Sequence, residues 1–128
     1  MKKLLILLFS ILISCNSYGE LIEVSYSDSS TAYIYNDSIR KHNRNIFWWE
    51  LNDYVRSDNS GNLSNKMYKE GDCGMYRHRV LSFIFYKQNM GFGDGETSAP
   101  IGKNGDWQYP SPGTVGSNIL RYVCAYVD

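Results

Sequence analysis

Few residues in this chain could carry out chemistry, and their spacing limits what that chemistry would be. There are two histidines, His42 and His78. Neither has the paired spacing of a zinc site. Nucleophilic catalysis needs a Ser, Thr or Cys beside a positioned base. His42 falls in a polar stretch, while His78 lies between Arg77 and Arg79 in an extended run, pointing to the opposite face from them. Both read as surface or structural histidines, and nothing in the sequence marks an enzyme. Asp94, Glu96 and Asp106 offer oxygen ligands for calcium, but not at EF-hand spacing. Residues 91–95 (GFGDG) are glycine-rich, yet no helix is predicted to begin directly after them, as a phosphate cradle requires. No metal and no cofactor is assigned.

The remaining candidates are recognition residues. Arg77 and Arg79 share a strand face, with Glu50 and Asp53 available on a nearby strand. They suit either a carboxylate-bearing partner or internal duty, as cross-strand ion pairs or guanidinium groups stacked on Trp or Tyr; the internal role is the more economical. Aromatic residues are plentiful, eleven of them Tyr. Such residues are enriched at binding surfaces and equally serve as core in a thin sheet. Trp48, opposite in face to Trp49, is the expected exposed anchor.

Three cysteines complete the set, and the N-terminus explains their number. Lys2 and Lys3 precede an uncharged run from Leu4 to Ile13. A membrane-spanning helix needs about 20 apolar residues, so this run reads as the core of a signal peptide. Ser17-Tyr18-Gly19 places small residues at −3 and −1 before Glu20, which favours cleavage there. Leu12-Ile13-Ser14-Cys15 also resembles a bacterial lipobox, in which Cys15 would be lipidated and tether the protein to a membrane. The expected division is therefore a signal peptide over 1–19 and one domain over 20–128. Either route accounts for Cys15 and leaves Cys73 and Cys124 as an even pair in an oxidising compartment, where a disulfide persists.

After residue 19 the chain has eleven basic and thirteen acidic residues. That near balance gives no electrostatic case for nucleic acid or an anionic membrane. No later stretch is apolar enough to span a bilayer.

Positioning these residues falls to short strands. Residues 21–27 and 31–35 read as strands joined by the turn cluster Asp28-Ser29-Ser30. Residues 46–55 alternate most clearly, with Phe47, Trp49, Leu51 and Val55 on one face and Glu50 and Asn52 on the other. Residues 56–65 form a polar loop, and 66–70 restart a strand leading to Cys73. Residues 75–88 predict a central strand with cover on both faces beyond Arg79. Residues 89–113 read as a long loop. Thr114 then caps a helix whose Val115, Ile119, Leu120, Val123, Cys124 and Val127 share one face. The predicted fold is α+β: an antiparallel sheet of about five to six strands with a C-terminal helix packed on it and tied by one disulfide.

Several of these residues also fall into a known order. Tyr33-Ile34-Tyr35, Trp49-Glu50-Leu51 and Asp53-Tyr54 resemble the first half of the surface-adhesin protein E-like family. Asp72-Cys73, Arg77, Arg79, Leu81-Ser82, Tyr86, Met90-Gly91, Gly93, Trp107, Tyr109-Pro110, Pro112-Gly113, Val115-Gly116 and Cys124 follow its second half. The resemblance implies the same sheet, helix and disulfide, an exported protein of the periplasm or outer membrane and cell surface, binding of host or envelope proteins, and homodimers. It brings no binding motif that maps onto these residues. A periplasmic accessory protein holding a small ligand or envelope component is the alternative.

Overall fold

A computed structural model describes residues 20–127; the expected signal peptide and Cys15 lie outside the described residues. Seven strands make one antiparallel sheet: β1 (Leu21–Tyr26), β2 (Ser30–Tyr35), β3 (Arg40–His42), β4 (Asn45–Tyr54), β5 (Ser64–Asp72), β6 (Arg77–Tyr86) and β7 (Glu96–Ser98). Their order is β1-β2-β4-β5-β6-β7, and β3 lies beside the first part of β4. Among the described residues there is one α-helix, α1 (Val115–Tyr126), which packs on one face.

The five longer strands lie within two residues of where the sequence places them. β3 and β7 are additions. Neither Arg40-Lys41-His42 nor Glu96-Thr97-Ser98 has a period-2 apolar pattern, and each is held by pairing with a longer neighbour. β2 and β3 run along the same edge of β4 and are separated by a 3-10 turn, Asn36–Ser38. That break would leave an unpaired backbone donor on β4. The Ser38 hydroxyl fills the place, accepting from Trp49 N–H at 2.9 Å while donating to the Tyr35 carbonyl at 2.6 Å.

The core lies between α1 and the sheet. Ala32, Ile34, Ile39, Ile46 and Trp48 meet Ile119, Leu120 and Val123, with Val115, Cys124 and Val127 packed at the margin. The predicted apolar stripe of the helix is thus the buried one. Thr114 caps it, its hydroxyl accepting from Ser117 N–H at 3.2 Å. Cys73 and Cys124 form a disulfide that joins the turn after β5 to the last turns of α1.

Two sequence expectations change. The alternation along β4 is present, but the core lies on the even-numbered side. Trp48 is 0% exposed, so it is no surface anchor. An indole can occupy this core because its N–H reaches Glu50 Oε1 at 3.1 Å. Room comes from β5: a Cβ on Gly71 would stand 2.8 Å from the Trp48 ring and 3.0 Å from Leu120. Second, β6 is half-buried along Val80–Phe85 rather than covered on both faces. Its outer neighbour β7 pairs only with Phe83–Phe85, which places β6 next to an edge.

Candidate functional site

The sheet face opposite α1 has its own arrangement, set by strand register. Arg40 stands opposite Phe47, Phe47 opposite Glu70, and Glu70 opposite Arg79. One row along, Trp49 stands opposite Tyr68. Paired side chains on one face lie close enough for rings to touch. The Trp49 and Tyr68 centroids are 5.1 Å apart, Phe47 and Tyr68 6.2 Å, and His42 and Phe47 6.5 Å. Trp49, Tyr68 and Phe47 are each half-buried. At one end of this ladder Arg40, His42, Phe47 and Tyr68 line a shallow hollow of about 300 Å³.

Arg77 and Arg79 lie on the same face, as the alternation predicts. Their partners are not Glu50 and Asp53. Arg77 Nε donates to Asp72 Oδ2 at 3.1 Å, and Arg79 Nη2 lies 2.7 Å from Glu70 Oε1. Glu70 Oε2 also accepts from Asn45 Nδ2 at 2.7 Å. The Met75 backbone N–H, joined by the Arg77 guanidinium, holds the Asp72 carboxyl below the ordinary carboxylate range. Both guanidinium groups lie over the ring of Trp107, at 4.2 and 4.5 Å from its centroid. Trp107 is held in place by its neighbour: Gln108 exchanges backbone hydrogen bonds with His78, at 3.0 and 2.8 Å. The arginines are therefore stacked and ion-paired within the fold, and together with Trp107 and Tyr109 they extend the aromatic ladder.

Glu50 sits on the α1 side, buried. It accepts from Trp48 Nε1, Asn52 Nδ2 and Lys69 Nζ, each at 3.1 Å. Asn52 continues to Asn65, and Asn65 to the Tyr54 hydroxyl. This line of polar groups satisfies a buried carboxylate and ammonium together. His78 lies beside it as a buried residue, with Gly116 of α1 against its ring. Burial, reinforced by the Lys69 charge, pushes its pKa down to about 4, with Glu50 opposing. A base neutral through the physiological range and walled in by a helix is a structural histidine, as expected.

The other sequence candidates are not brought together. His42 is exposed on β3. Asp53 accepts hydrogen bonds from Asn89 Nδ2 and the Met90 backbone N–H. The glycine-rich segment runs into β7 instead of a helix. Gly91 N–H donates to Ser64 Oγ at 2.9 Å in a left-handed conformation, φ 69°. Among the described residues no group of three His, Cys, Asp or Glu side chains is placed to hold a metal ion, and no helix is long and apolar enough to cross a membrane.

The residues that build the open face, Phe47, Trp49, Tyr68, Trp107 and Tyr109, were not singled out from the sequence as a binding surface. Alternation does place Phe47 with Trp49. No periodicity signals Trp107, which sits in a loop, and only the pairing of Gln108 with His78 brings it over the arginines.

Comparison with known proteins agrees with this architecture. The family model of surface-adhesin protein E matches residues 21–125. No curated protein matches the chain. Two solved structures of Haemophilus influenzae protein E are similar. Crystal form II aligns with a TM-score of 0.62 at 21% identity, covering 84% of this chain and 90% of that one. The other aligns at 0.58 and 19% identity, covering 82% and 83%. At these identities the likeness is one of fold. The match over nearly all of the described residues, on a sheet with one C-terminal helix and one disulfide, makes the chain a member of the surface-adhesin protein E family.

Proposed function

We infer that this protein is an exported, non-catalytic envelope protein that works by binding other proteins, host or envelope, through the open face of its sheet. The observation that carries the reading is the half-exposed ladder Trp49–Tyr68–Phe47, continued by Trp107 over Arg77 and Arg79. Rigid aromatic and arginine side chains supply much contact area for little lost conformational freedom, which is why they dominate binding hot spots. Membership of an adhesin family supports the same role. Residues 1–19 act as the signal peptide and 20–128 as the working domain. Removal of Cys15, or its lipidation, decides whether the domain is free or tethered.

Two measurements test this. Mass spectrometry of the protein recovered from cells should show either a chain starting at Glu20 or a lipid on Cys15; an intact Met1 would end the export reading. Binding to immobilised matrix proteins should fall tenfold or more in a Trp49→Ala, Trp107→Ala double variant. Binding unchanged in that variant would remove the open face from the function. Protease shaving of intact cells that leaves the domain untouched would replace the adhesin role with a periplasmic one.

A further inference from the structure

The β3–β4 hairpin concentrates charge that the rest of the chain dilutes. Arg40, Lys41 and Arg44 fall within five residues that contain no carboxylate. Outside that segment, residues 20–128 hold eight basic against thirteen acidic residues. All three side chains are exposed, as is His42. The hairpin is closed by a two-residue turn in which Asn43 takes a φ of 57°, a conformation that asparagine tolerates better than most residues.

Those charges have no counterpart within the fold. Among the described residues the ion pairs belong to Lys69, Arg77 and Arg79, and none to Arg40, Lys41 or Arg44. The carboxylate in line with Arg40 across the sheet is Glu70, already bound by Arg79 and Asn45. Beside the free cations lies the hollow formed by Arg40, His42, Phe47 and Tyr68, whose Phe47 and Tyr68 rings are tilted by 27° from one another.

We propose that the β3–β4 hairpin and the adjoining Phe47 and Tyr68 rings bind a linear anionic polysaccharide. Its acidic groups pair with Arg40, Lys41 and Arg44, and the flat apolar side of a sugar ring lies on the aromatic pair. The charge complementarity selects a polyanion. The surroundings select among polyanions. Residues 40–45 (RKHNRN) contain no apolar side chain to enter a bilayer. β3 is three residues long and the hollow is shallow, so a peptide would find neither a strand edge of useful length nor pockets for alternate side chains. The proposal rests on the binding role inferred above in using the same open face, and names a ligand class for one end of it.

The test uses the mature protein and heparin as the probe. Immobilised heparin should retain the protein at low salt and release it as salt rises. The triple variant Arg40→Gln, Lys41→Gln, Arg44→Gln should bind about tenfold or more weakly, with an unchanged melting temperature because the three side chains are exposed. Tyr68→Ala should weaken heparin binding while leaving its salt dependence as it was. Should the triple variant fold poorly, the single Arg44→Gln should still elute at lower salt. Wild-type affinity in a folded triple variant overturns the proposal. So does polyglutamate, or vesicles containing phosphatidylglycerol, binding as tightly as heparin. Loss of matrix-protein binding in the Trp49, Trp107 double variant, alongside no heparin binding by the wild type, would overturn the polysaccharide site and leave the protein-binding face standing.

Discussion

The two sides of β4 show how differently one strand can be used. On the even side, Ile46, Trp48, Glu50 and Asn52 are buried, the first two in the core beneath α1. On the odd side, Phe47 and Trp49 remain half-exposed and stack on Tyr68. Each side carries aromatic rings and a charged pair, Glu50–Lys69 within and Glu70–Arg79 without. The inner pair has its oxygens saturated by Trp48 and Asn52, since a buried carboxylate cannot be left short of partners. In the outer pair Glu70 is buried, while Arg79 keeps about a third of its side chain in water and stacks on Trp107. The helix laid over Ile46 and Trp48 makes one side core, while on the other side Leu51 is buried beside Gly91 and Phe47 and Trp49 stay partly open.

That contrast can be broken most severely where the helix is fastened. Cys73 and Cys124 are 51 residues apart, and the loop-entropy relation assigns such a closure about 4 kcal/mol. Cys73→Ser, Cys124→Ser and the double variant should each melt about 15 °C or more below the wild type, equally for all three, as seen by calorimetry. Unequal losses would mean that the sulfur atoms contribute by packing and not through their bond.

Next in size is Glu50→Ala, which strands Lys69 and the Trp48 indole N–H in the core. A loss of about 3 kcal/mol in denaturant unfolding is expected, against about 1–2 kcal/mol for Glu70→Ala, whose partner Arg79 keeps access to water. Equal losses would abolish the distinction between the two pairs.

His78 sharpens the contrast through pH. Its folded-state value of about 4 lies below that of an ordinary imidazole. The unfolded chain therefore takes up the proton first, and stability drops as pH falls from the ordinary range near 6.5 through about 4. Between pH 7.5 and pH 5 the loss should approach about 2 kcal/mol. His78→Phe should flatten that slope, while His42→Phe, on exposed β3, should leave it intact. The charges that face His78 are Lys69, which lowers its value, and Glu50, which opposes that.

The smallest effect on stability is expected on the open side. Trp49→Ala removes a half-exposed ring, so it should cost well under the roughly 3–5 kcal/mol of a buried Trp→Ala change such as Trp48→Ala. Its effect should appear in binding instead. A Trp49→Ala variant that unfolds as readily as Trp48→Ala would show that both faces are core.

Much of the fold was legible along the chain. The strand over 46–55 announced itself by alternation and the other long ones by runs of strand-forming residues, Thr114 marked the helix start, and the cysteine count left one pair. β3 and β7 escaped because three-residue polar strands carry no period and exist only through their partners. The candidate site was half legible: the shared face of Arg77 and Arg79 is visible in the alternation, and their stacked, ion-paired state was one of the two readings, but the side that carries Trp48 was expected to be exposed and is buried. Alternation states which residues share a face; it does not state which face a helix will cover.

Local chemistry in the sequence thus determined the α+β class, the helix and its buried stripe, the paired cysteines and the separation of Trp48 from Trp49. Tertiary structure alone decided the rest: that α1 lies over Trp48, with Gly71 giving it room; that Glu50 is buried against Lys69; and that the loop beside His78 lays Trp107 over two arginines. A strand's two faces are equivalent until a third element chooses between them, and that choice depends on contacts between residues far apart in the chain.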